Sequence, residues 1–525
     1  MTGIVTDPDV LRDLRIRSAN LIDEIEEVLF RNQLSRPLSA NLTNNMAVIQ
    51  GLTHQAADLQ FTKFACRGGL QGAILFAIDF VNYELMVAGI VEPLTGLNWT
   101  QAEVGRPLLE QVAKTIAPVG GAEAVDNVKG ALDSIWSGGA VVFLDGTSGA
   151  VSINVGKINK RSITRPVSEQ VVMGPHAGFI EDGMTNLSLV RQRLKTPRLW
   201  IDRMQVGRHT RTAVYLLSLY GVTDGALVDE VKSRLCQINI DGVLDSNYLV
   251  ELVKSDRWTI FPTVLRTERP DRVAAGLLEG RVAIIVDGSP LAIVAPATLP
   301  MMMTSAADYY QNWMVATFLR IVRYIALTAS LLTPGLYVAL TTYHQEAIPT
   351  PLLITMAAAR SDVPLPAVGE VLLLMVLFDI IREAGARVPT GIGSALTIGG
   401  TLVVGQAAVR AGIISSPIII VVAGIVIAVL AIPNPELVQA VRFATYPVIL
   451  GGAILGVYGI LFVTIGLALH LASLESFGVA YLSPAAPIRP TDFKDFIIRL
   501  PWFRQTTRPA QTGYTDVMRQ GPRSS

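Results

Sequence analysis

Residues 411–435 read AGIISSPIIIVVAGIVIAVLAIPNP and carry no formal charge. A helix needs about 20 apolar residues to cross the hydrocarbon core of a bilayer, and this run meets that length. Working outward, residues 325–343, 388–409 and 443–474 are likewise free of Asp, Glu, Lys and Arg. Four such runs leave no polar face to show water, so they read as membrane spans rather than buried helices of a soluble domain. The composition agrees. Only 16% of the 525 residues are charged and the mean hydropathy is +0.44, whereas soluble domains carry nearer ~25% charge.

The stretch between the first two runs differs. Residues 350–389 hold Arg360, Asp362, Glu370, Asp379, Arg382, Glu383 and Arg387 among apolar side chains, and Pro349, Pro351, Pro364 and Pro366 interrupt it. Irregular backbone at membrane depth survives only against protein or water. Two readings fit: broken or re-entrant helices facing the bundle interior, or an amphipathic hairpin lying in the interface. Flanking charge sets the topology. Arg320 and Arg323 precede the first span, and Arg489, Lys494, Arg499, Arg504 and Arg508 follow the last. Both the N-terminal half and the tail are therefore expected on the cytosolic side. Four full spans plus the broken segment satisfy this, with Pro433-Asn434-Pro435 as an outer turn. Gly452 and Gly456 form a GxxxG pair, followed by Gly459, and Ala408 and Gly412 repeat the spacing. Small residues at that interval let membrane helices approach closely, although they also fit the ordinary glycine content of spans.

The first three hundred residues are charged in the usual proportion and contain two similar stretches. Residues 125–155 read VDNVKGALDSIWSGGAVVFLDGTSGAVSINV, and residues 270–296 read PDRVAAGLLEGRVAIIVDGSPLAIVAP. Each spells a helix, a glycine stop, an apolar strand, an Asp-Gly turn and a second apolar strand. The fold class is therefore a soluble α/β N-terminal half with two related subdomains, followed by an α-helical polytopic membrane domain. The expected divisions are an N-terminal helical segment (1–60, with an amphipathic helix over 7–31), α/β subdomains at 61–165 and 166–310, the membrane domain at 311–485 with its broken segment at 349–389, and a tail at 486–525. Strand-like 212–220 and helical 224–235 and 247–254 fill out the second subdomain. The N-terminus shows no cleavable signal peptide. Cys66 and Cys236 are too few for a disulfide framework, which fits a reducing compartment.

No P-loop, GxSxG or HExxH motif is present, and the five histidines have no CxxC beside them. No enzyme, cofactor or metal is expected, and zero net charge gives no reason to expect nucleic acid. Asp145-Gly146 and Asp287-Gly288 read as hairpin turns. The informative carboxylates are Glu370, Asp379 and Glu383, because an ionisable residue at membrane depth is a functional candidate by default. Asp379 and Glu383 share a helix face at i, i+4, and Arg382 and Arg387 stand near enough to neutralise them. The same residues could instead form an ion pair that seals the bundle.

The chain resembles the A subunits of bacterial spore germination receptors, the GerA family, from about residue 60 to about residue 504. The likeness is carried by Arg165-Pro166 to Glu169, GPHAGFIEDGMTNLSLVRQRL (174–194), GVLDSNYL from Gly242, FPTVLRTERPDRVAAGLLEGRVAIIVDGSP (261–290) and Asp308-Tyr309-Tyr310. In the membrane half it is carried by IPTPLL from Ile348, ARSDVPLPAVGE (359–370), REAGARVP (382–389), GQAAVRAG (405–412) and ASLESFGVAYLSP (472–484). SpoVAF-type proteins form a related branch that these motifs do not separate, though TNLSLVRQRL leans toward the receptors. The resemblance implies a multi-pass protein of the spore inner membrane. It implies as partners a self-oligomer, a transporter-like B subunit, a lipoprotein C subunit and membrane lipid. It also implies a role in turning nutrient sensing into cation release. Where relatives commonly carry an acidic residue this chain has Met375, which leaves Glu370, Asp379 and Glu383 as ion-path candidates. Gly452, Gly456 and Gly459 are the packing candidates, and Pro364, Pro366 and Pro389 the hinge candidates. The rival expectations are a non-conducting scaffold for the B and C subunits and a nutrient-binding cleft between the two subdomains.

Overall fold

A computed structural model of the chain describes residues 25–509 and Arg519, apart from 26–27, 68, 79, 97–104, 157–165, 167–168, 170, 172 and 387–404. Most of the expected 7–31 helix, most of the 388–409 run, and Arg165, Arg387 and Pro389 lie outside the described residues.

The two repeated stretches fold as read. In the first unit, helix α1 (Leu42–Leu52) precedes β1 (Leu59–Ala65) and β2 (Gln71–Ala77), and α2 (Arg106–Gly120) leads to β3 (Ala122–Val125). Helix α3 (Val128–Trp136) then leads through Gly138 to β4 (Gly139–Leu144), and Asp145-Gly146 turns the chain into β5 (Ala150–Asn154). In the second unit α4 (Gly183–Arg191) precedes β6 (Leu199–Val206) and β7 (Thr212–Leu219), and α5 (Gly225–Cys236) and α6 (Ser246–Val253) lead to β8 (Leu265–Thr267). Helix α7 (Pro270–Leu278), β9 (Val282–Val286), Asp287-Gly288 and β10 (Ala292–Ala295) complete it. The turn glycines Gly146 and Gly288 sit at φ 84° and 82°, where a side chain would be strained. Strand order is β1-β2-β4-β5-β3 in one unit and β6-β7-β9-β10-β8 in the other, so the units share one topology, with antiparallel pairing throughout the described strands.

The apolar runs of β4 and β9 explain the layering. Side chains alternate across a strand, so a continuous run feeds two cores. Ala140, Val142 and Leu144 enter one core, while Val141 and Phe143 enter another with α3. Likewise Ala283 and Ile285 face one side of the second sheet, and Val282, Ile284 and Val286 the other. Each sheet is the middle of a sandwich. The units are locked together by Arg191, whose Nε and Nη2 donate to the two oxygens of buried Asp58 at 2.8 and 2.9 Å, with Trp136 stacked 4.3 Å from the guanidinium.

The C-terminal part is helical: α8 (Trp313–Thr342), α9 (Thr350–Arg360), α10 (Ala367–Ala386), α11 (Ser416–Leu430), α12 (Pro435–Leu455) and α13 (Val457–Ser473). Among the described residues, α8 and α12 are long and apolar enough to cross a membrane, and α11 and α13 are shorter apolar helices. Two expectations are corrected here. Pro433-Asn434-Pro435 is not an outer turn. Asn434 caps α12 by accepting from the Leu437 amide at 2.9 Å. Ile432, Leu437, Ala440 and Val441 join the same core as the second sheet, and Glu436 pairs with Arg266. The turn therefore abuts the soluble half. The run 443–474 is also not one span. Gly456 adopts φ 60° and breaks it, and α13 folds back along α12. Gly452 and Gly456 thus do not share a helix face, because a periodicity argument cannot tell a packing glycine from one that makes a turn. Gly412, at φ 65°, likewise lies past the helical turn that holds Ala408.

Helices α8 and α12 meet backbone to backbone. A Cβ on Gly452 would stand 2.6 Å from the Gly335 carbonyl, and one on Gly335 equally close to that of Val448. Pro334 has no N–H to offer the Ser330 carbonyl four residues back, and Thr445 Oγ1 of α12, which donates to the Val441 carbonyl of its own helix at 2.9 Å, stands 3.4 Å from that oxygen. At the far end Tyr343 Oη lies 3.0 Å from both terminal α12 carbonyls, of Ala453 and Ile454, which share its one hydrogen. Gly459 packs its Cα side against the Gly451 carbonyl in the α12–α13 hairpin. Overpacking of such a contact costs about 1–3 kcal/mol. Gly452→Leu is therefore expected to lower the thermal midpoint in detergent, while Gly424→Leu on open α11 leaves it in place; equal midpoints would contradict the contact.

Candidate functional site

The soluble half enters the membrane domain through a buried charge cluster. Ser305 starts a short 3-10 turn whose capping box is closed by Asp308. Asp308 is 0% exposed. Its Oδ2 accepts from Arg320 Nε at 3.1 Å and from Arg323 Nη1 at 2.7 Å. These arginines sit one turn apart on α8, so both reach the same carboxylate. Arg320, 1% exposed, also donates through Nη1 to Asp495 Oδ1 at 2.8 Å and to the Phe496 carbonyl at 3.1 Å. Tyr309 Oη donates to Asp495 Oδ2 at 2.8 Å. Burial first, then the Asp495 carboxylate, holds the Tyr309 phenol far above its ordinary value. Arg499 Nη1 donates to the Gln311 carbonyl at 3.1 Å, and Arg508 to that of Leu278 at 2.5 Å. The tail is thus folded back onto the soluble half, and its basic residues are not simply a solvated flank.

Beside this cluster lies a cavity of about 400 Å³, lined in part by Asp271, Arg281, Met301, Tyr309, Tyr310 and Trp502. Tyr310 Oη donates to Asp271 Oδ2 at 2.6 Å; burial, then this bond, pushes its phenol up to about 12. The cavity sits between the second unit and the tail. The junction of the two α/β units is where Arg191, Asp58 and Trp136 pack.

The three membrane carboxylates do not share a face. Glu370 is 0% exposed and joins three elements: its Oε2 accepts from the Ser415 amide at 2.8 Å, and Arg360 Nε stands 3.3 Å from Oε1. Two and a half turns later on α10, Asp379 faces α12, where it pairs with Arg442 and accepts from Tyr446 Oη at 2.7 Å. Asp379 and Glu383 line one open concavity with Tyr446. Asp379 makes its ion pair with Arg442, sixty-three positions along the chain, in addition to having Arg382 nearby on its own helix. Pro364 and Pro366 lie in the connection between α9 and α10, and Met375 is buried against Val371 and Leu374. Reading the sequence missed Arg360, Arg442, Tyr446 and Asp495. Only the charge of Arg442 beside an apolar run hinted at a partner. Among the described residues, no group of three His, Cys, Asp or Glu could hold a metal.

The family profile described as Bacillus/Clostridium GerA spore germination protein matches residues 47–511, which takes in both α/β units, the charge cluster and every described membrane helix. The chain belongs to the GerA family. Spore germination protein KA of Bacillus subtilis (strain 168) is 37% identical over 92% of this chain and 89% of its own length. Spore germination protein GerQA of Bacillus cereus is 39% identical over 82% and 89%. An uncharacterized membrane protein of Bacillus subtilis (strain 168), YfkQ, is 37% identical over 94% and 95%. The crystallographic N-terminal domain of the A subunit of the Bacillus megaterium spore germinant receptor GerK3 matches 50% of this chain and 98% of its own, with 29% identity and a TM-score of 0.41. As a GerA-family protein the chain has a role in spore germination.

Removing one partner of a buried ion pair costs about 3–5 kcal/mol. Asp308→Asn, which leaves Arg323 without its carboxylate and Arg320 with Asp495 alone, is accordingly expected to destabilise the protein far more than Asp126→Asn, whose exposed 3.5 Å pair with Arg106 is worth at most ~1 kcal/mol. Thermal unfolding of the two variants in detergent checks this ordering, and comparable losses would refute it.

Proposed function

We propose that this chain is the A subunit of a nutrient germinant receptor in the spore inner membrane, with its soluble half and tail on the core side. It assembles with copies of itself, with a transporter-like B subunit and with a lipoprotein C subunit, and it turns germinant sensing into cation release. The reading rests on family membership, and one observation gives it a mechanism: the buried Asp308–Arg320–Asp495 cluster ties soluble half, first membrane helix and tail into a single mechanical unit. A movement of the soluble half cannot leave α8 behind without exposing unpaired charges.

Within this reading the ion-path candidates narrow. Glu370 is buried and paired with Arg360, so it serves as a clamp between α9, α10 and α11. Asp379 and Glu383 face an open concavity, and in an oligomer they would present carboxylates to a shared path, which favours cations. Arg442 and Tyr446 hold Asp379 in the resting arrangement, and opening would release it. The break at Pro364 and Pro366 lets α10 tilt about its start.

Ion flux from vesicles reconstituted with the protein and its partner subunits tests this. Asp379→Asn and Glu383→Gln are expected to lower the germinant-triggered cation flux several-fold, with assembly intact by size-exclusion chromatography. Flux that is unchanged in both variants would favour the non-conducting scaffold. In that case both carboxylates tolerate neutralisation while the complex with the partner subunits still forms.

A further inference from the structure

The loop between α6 and β8 holds an unusual surface. Asp256 Oδ1 accepts from the Trp258 amide at 3.0 Å and fixes a turn. Beyond it the chain alternates. Thr259 and Phe261 are buried, whereas Trp258 is 96% exposed and Ile260 42%. The inward pair docks on the end of α13: Thr259 Oγ1 lies 3.0 Å from His470 Nε2, and the Phe261 ring is 6.1 Å from the imidazole. Arg234 braces the loop from behind. Its Nη1 donates to the Val253 carbonyl and to Ser255 Oγ at 2.9 Å each, and its guanidinium covers the Phe477 ring just past α13. Ser476 Oγ donates to the Thr263 carbonyl at 2.5 Å. The loop is therefore anchored to the end of a membrane helix at both its ends, yet it turns its largest apolar side chain outward.

That end of α13 sets the depth. Leu461, Phe462, Ile465 and Leu469 are exposed on α13, as lipid-facing residues are. His470 follows immediately, so the tethered loop lies at the level where hydrocarbon gives way to headgroups. Tryptophan is enriched at that level, because its ring is apolar and its indole N–H is not. Lys254 and exposed Arg257 flank it, and basic residues at an anionic membrane surface are favoured.

We propose that Trp258 and Ile260 form a membrane seat: the second α/β unit rests on the lipid interface through this loop, with Lys254 and Arg257 toward the anionic headgroups. The unit would then touch the bilayer at two places, at the root of α8 and at the seat, which fixes its tilt as well as its position. The occupant is lipid because the patch continues directly from the lipid-facing side of α13. The seat rests on the membrane reading of α13, and the test separates the two.

The full-length protein is reconstituted into vesicles of phosphatidylglycerol and phosphatidylcholine, with and without lipids brominated near the headgroup end of the acyl chain. The emission of Trp258 is taken as wild type minus Trp258→Phe. This exposed substitution leaves packing alone. Brominated lipid should quench most of that difference signal, and the signal should lie at shorter wavelength than that of indole in water. Co-flotation of the protein with the vesicles checks the membrane reading independently. Flotation with an unquenched, water-like Trp258 signal overturns the seat and spares the spans, whereas no flotation sinks both. If the signal shifts only when the partner subunits are added, with no bromine quenching, the surface belongs to a protein contact and the seat is likewise overturned.

Discussion

A carboxylate with no access to water governs the junction of this protein. Asp308 is the last acidic residue before the membrane helices, and it is sealed at the point where the soluble half ends. A buried charge is tolerable only when paired and hydrogen-bonded, so its position dictates that of α8, which must bring two arginines to it. Arg320 has donors left over and recruits Asp495 from the tail. The end of the soluble half, the start of α8 and a tail segment 175 positions further along the chain are thereby held at one point by charge neutrality. The cost of separating them is the cost of leaving ions in a dry interior, not merely that of losing a surface contact.

Apolar packing repeats the message in another form. The core on one side of the second sheet does not stop at the domain edge. Leu199, Ile285 and Val294 share it with Ile432, Leu437 and Val441 of the membrane region and with Leu474 and Tyr481 beyond α13. Among the described residues, the cores of the first unit hold no side chain of the membrane helices, and Asp58 of that unit pairs with Arg191 of the second. The two units have the same strand order but different employment: one is welded to the membrane helices, while the other is carried by it.

Much of this was legible beforehand. Helix, glycine, strand, Asp-Gly and strand form a local code, and both copies folded as written because every signal in them acts over a few residues. The four uncharged runs marked the membrane region for the same reason. What escaped was non-local or ambiguous. Gly456 carries the same spacing signal whether it packs or turns, and only its left-handed backbone separates the cases. Arg442 finds Asp379 because α10 and α12 lie side by side, which no i, i+4 rule reports. Pro433-Asn434-Pro435 looked like any loop between spans, and the pairing of Glu436 with Arg266, 170 positions apart, decides which side it occupies. Glu370 was placed among the functional candidates on depth alone. Its burial against Ser415 and Arg360 shows that depth without exposure describes a rivet as well as a pore lining.

The length of α8 has its own consequence. Thirty residues at a rise of 1.5 Å make a rod of about 45 Å, against roughly 30 Å of hydrocarbon. The surplus is about 15 Å, and Arg320 and Arg323 lie within the third and fourth turns of the helix. The helix is therefore gripped near its start by opposite charge, packed against Gly452 of α12 further along, and tied to the end of α12 by its own Tyr343. Pro334, the one residue inside the helix that cannot donate to the preceding turn, precedes Gly335, where α8 and α12 meet backbone to backbone. The helix is thus held at its two ends, by the Asp308 cluster at one and by the contact of Tyr343 with the end of α12 at the other, so that one continuous rod joins the two anchorages.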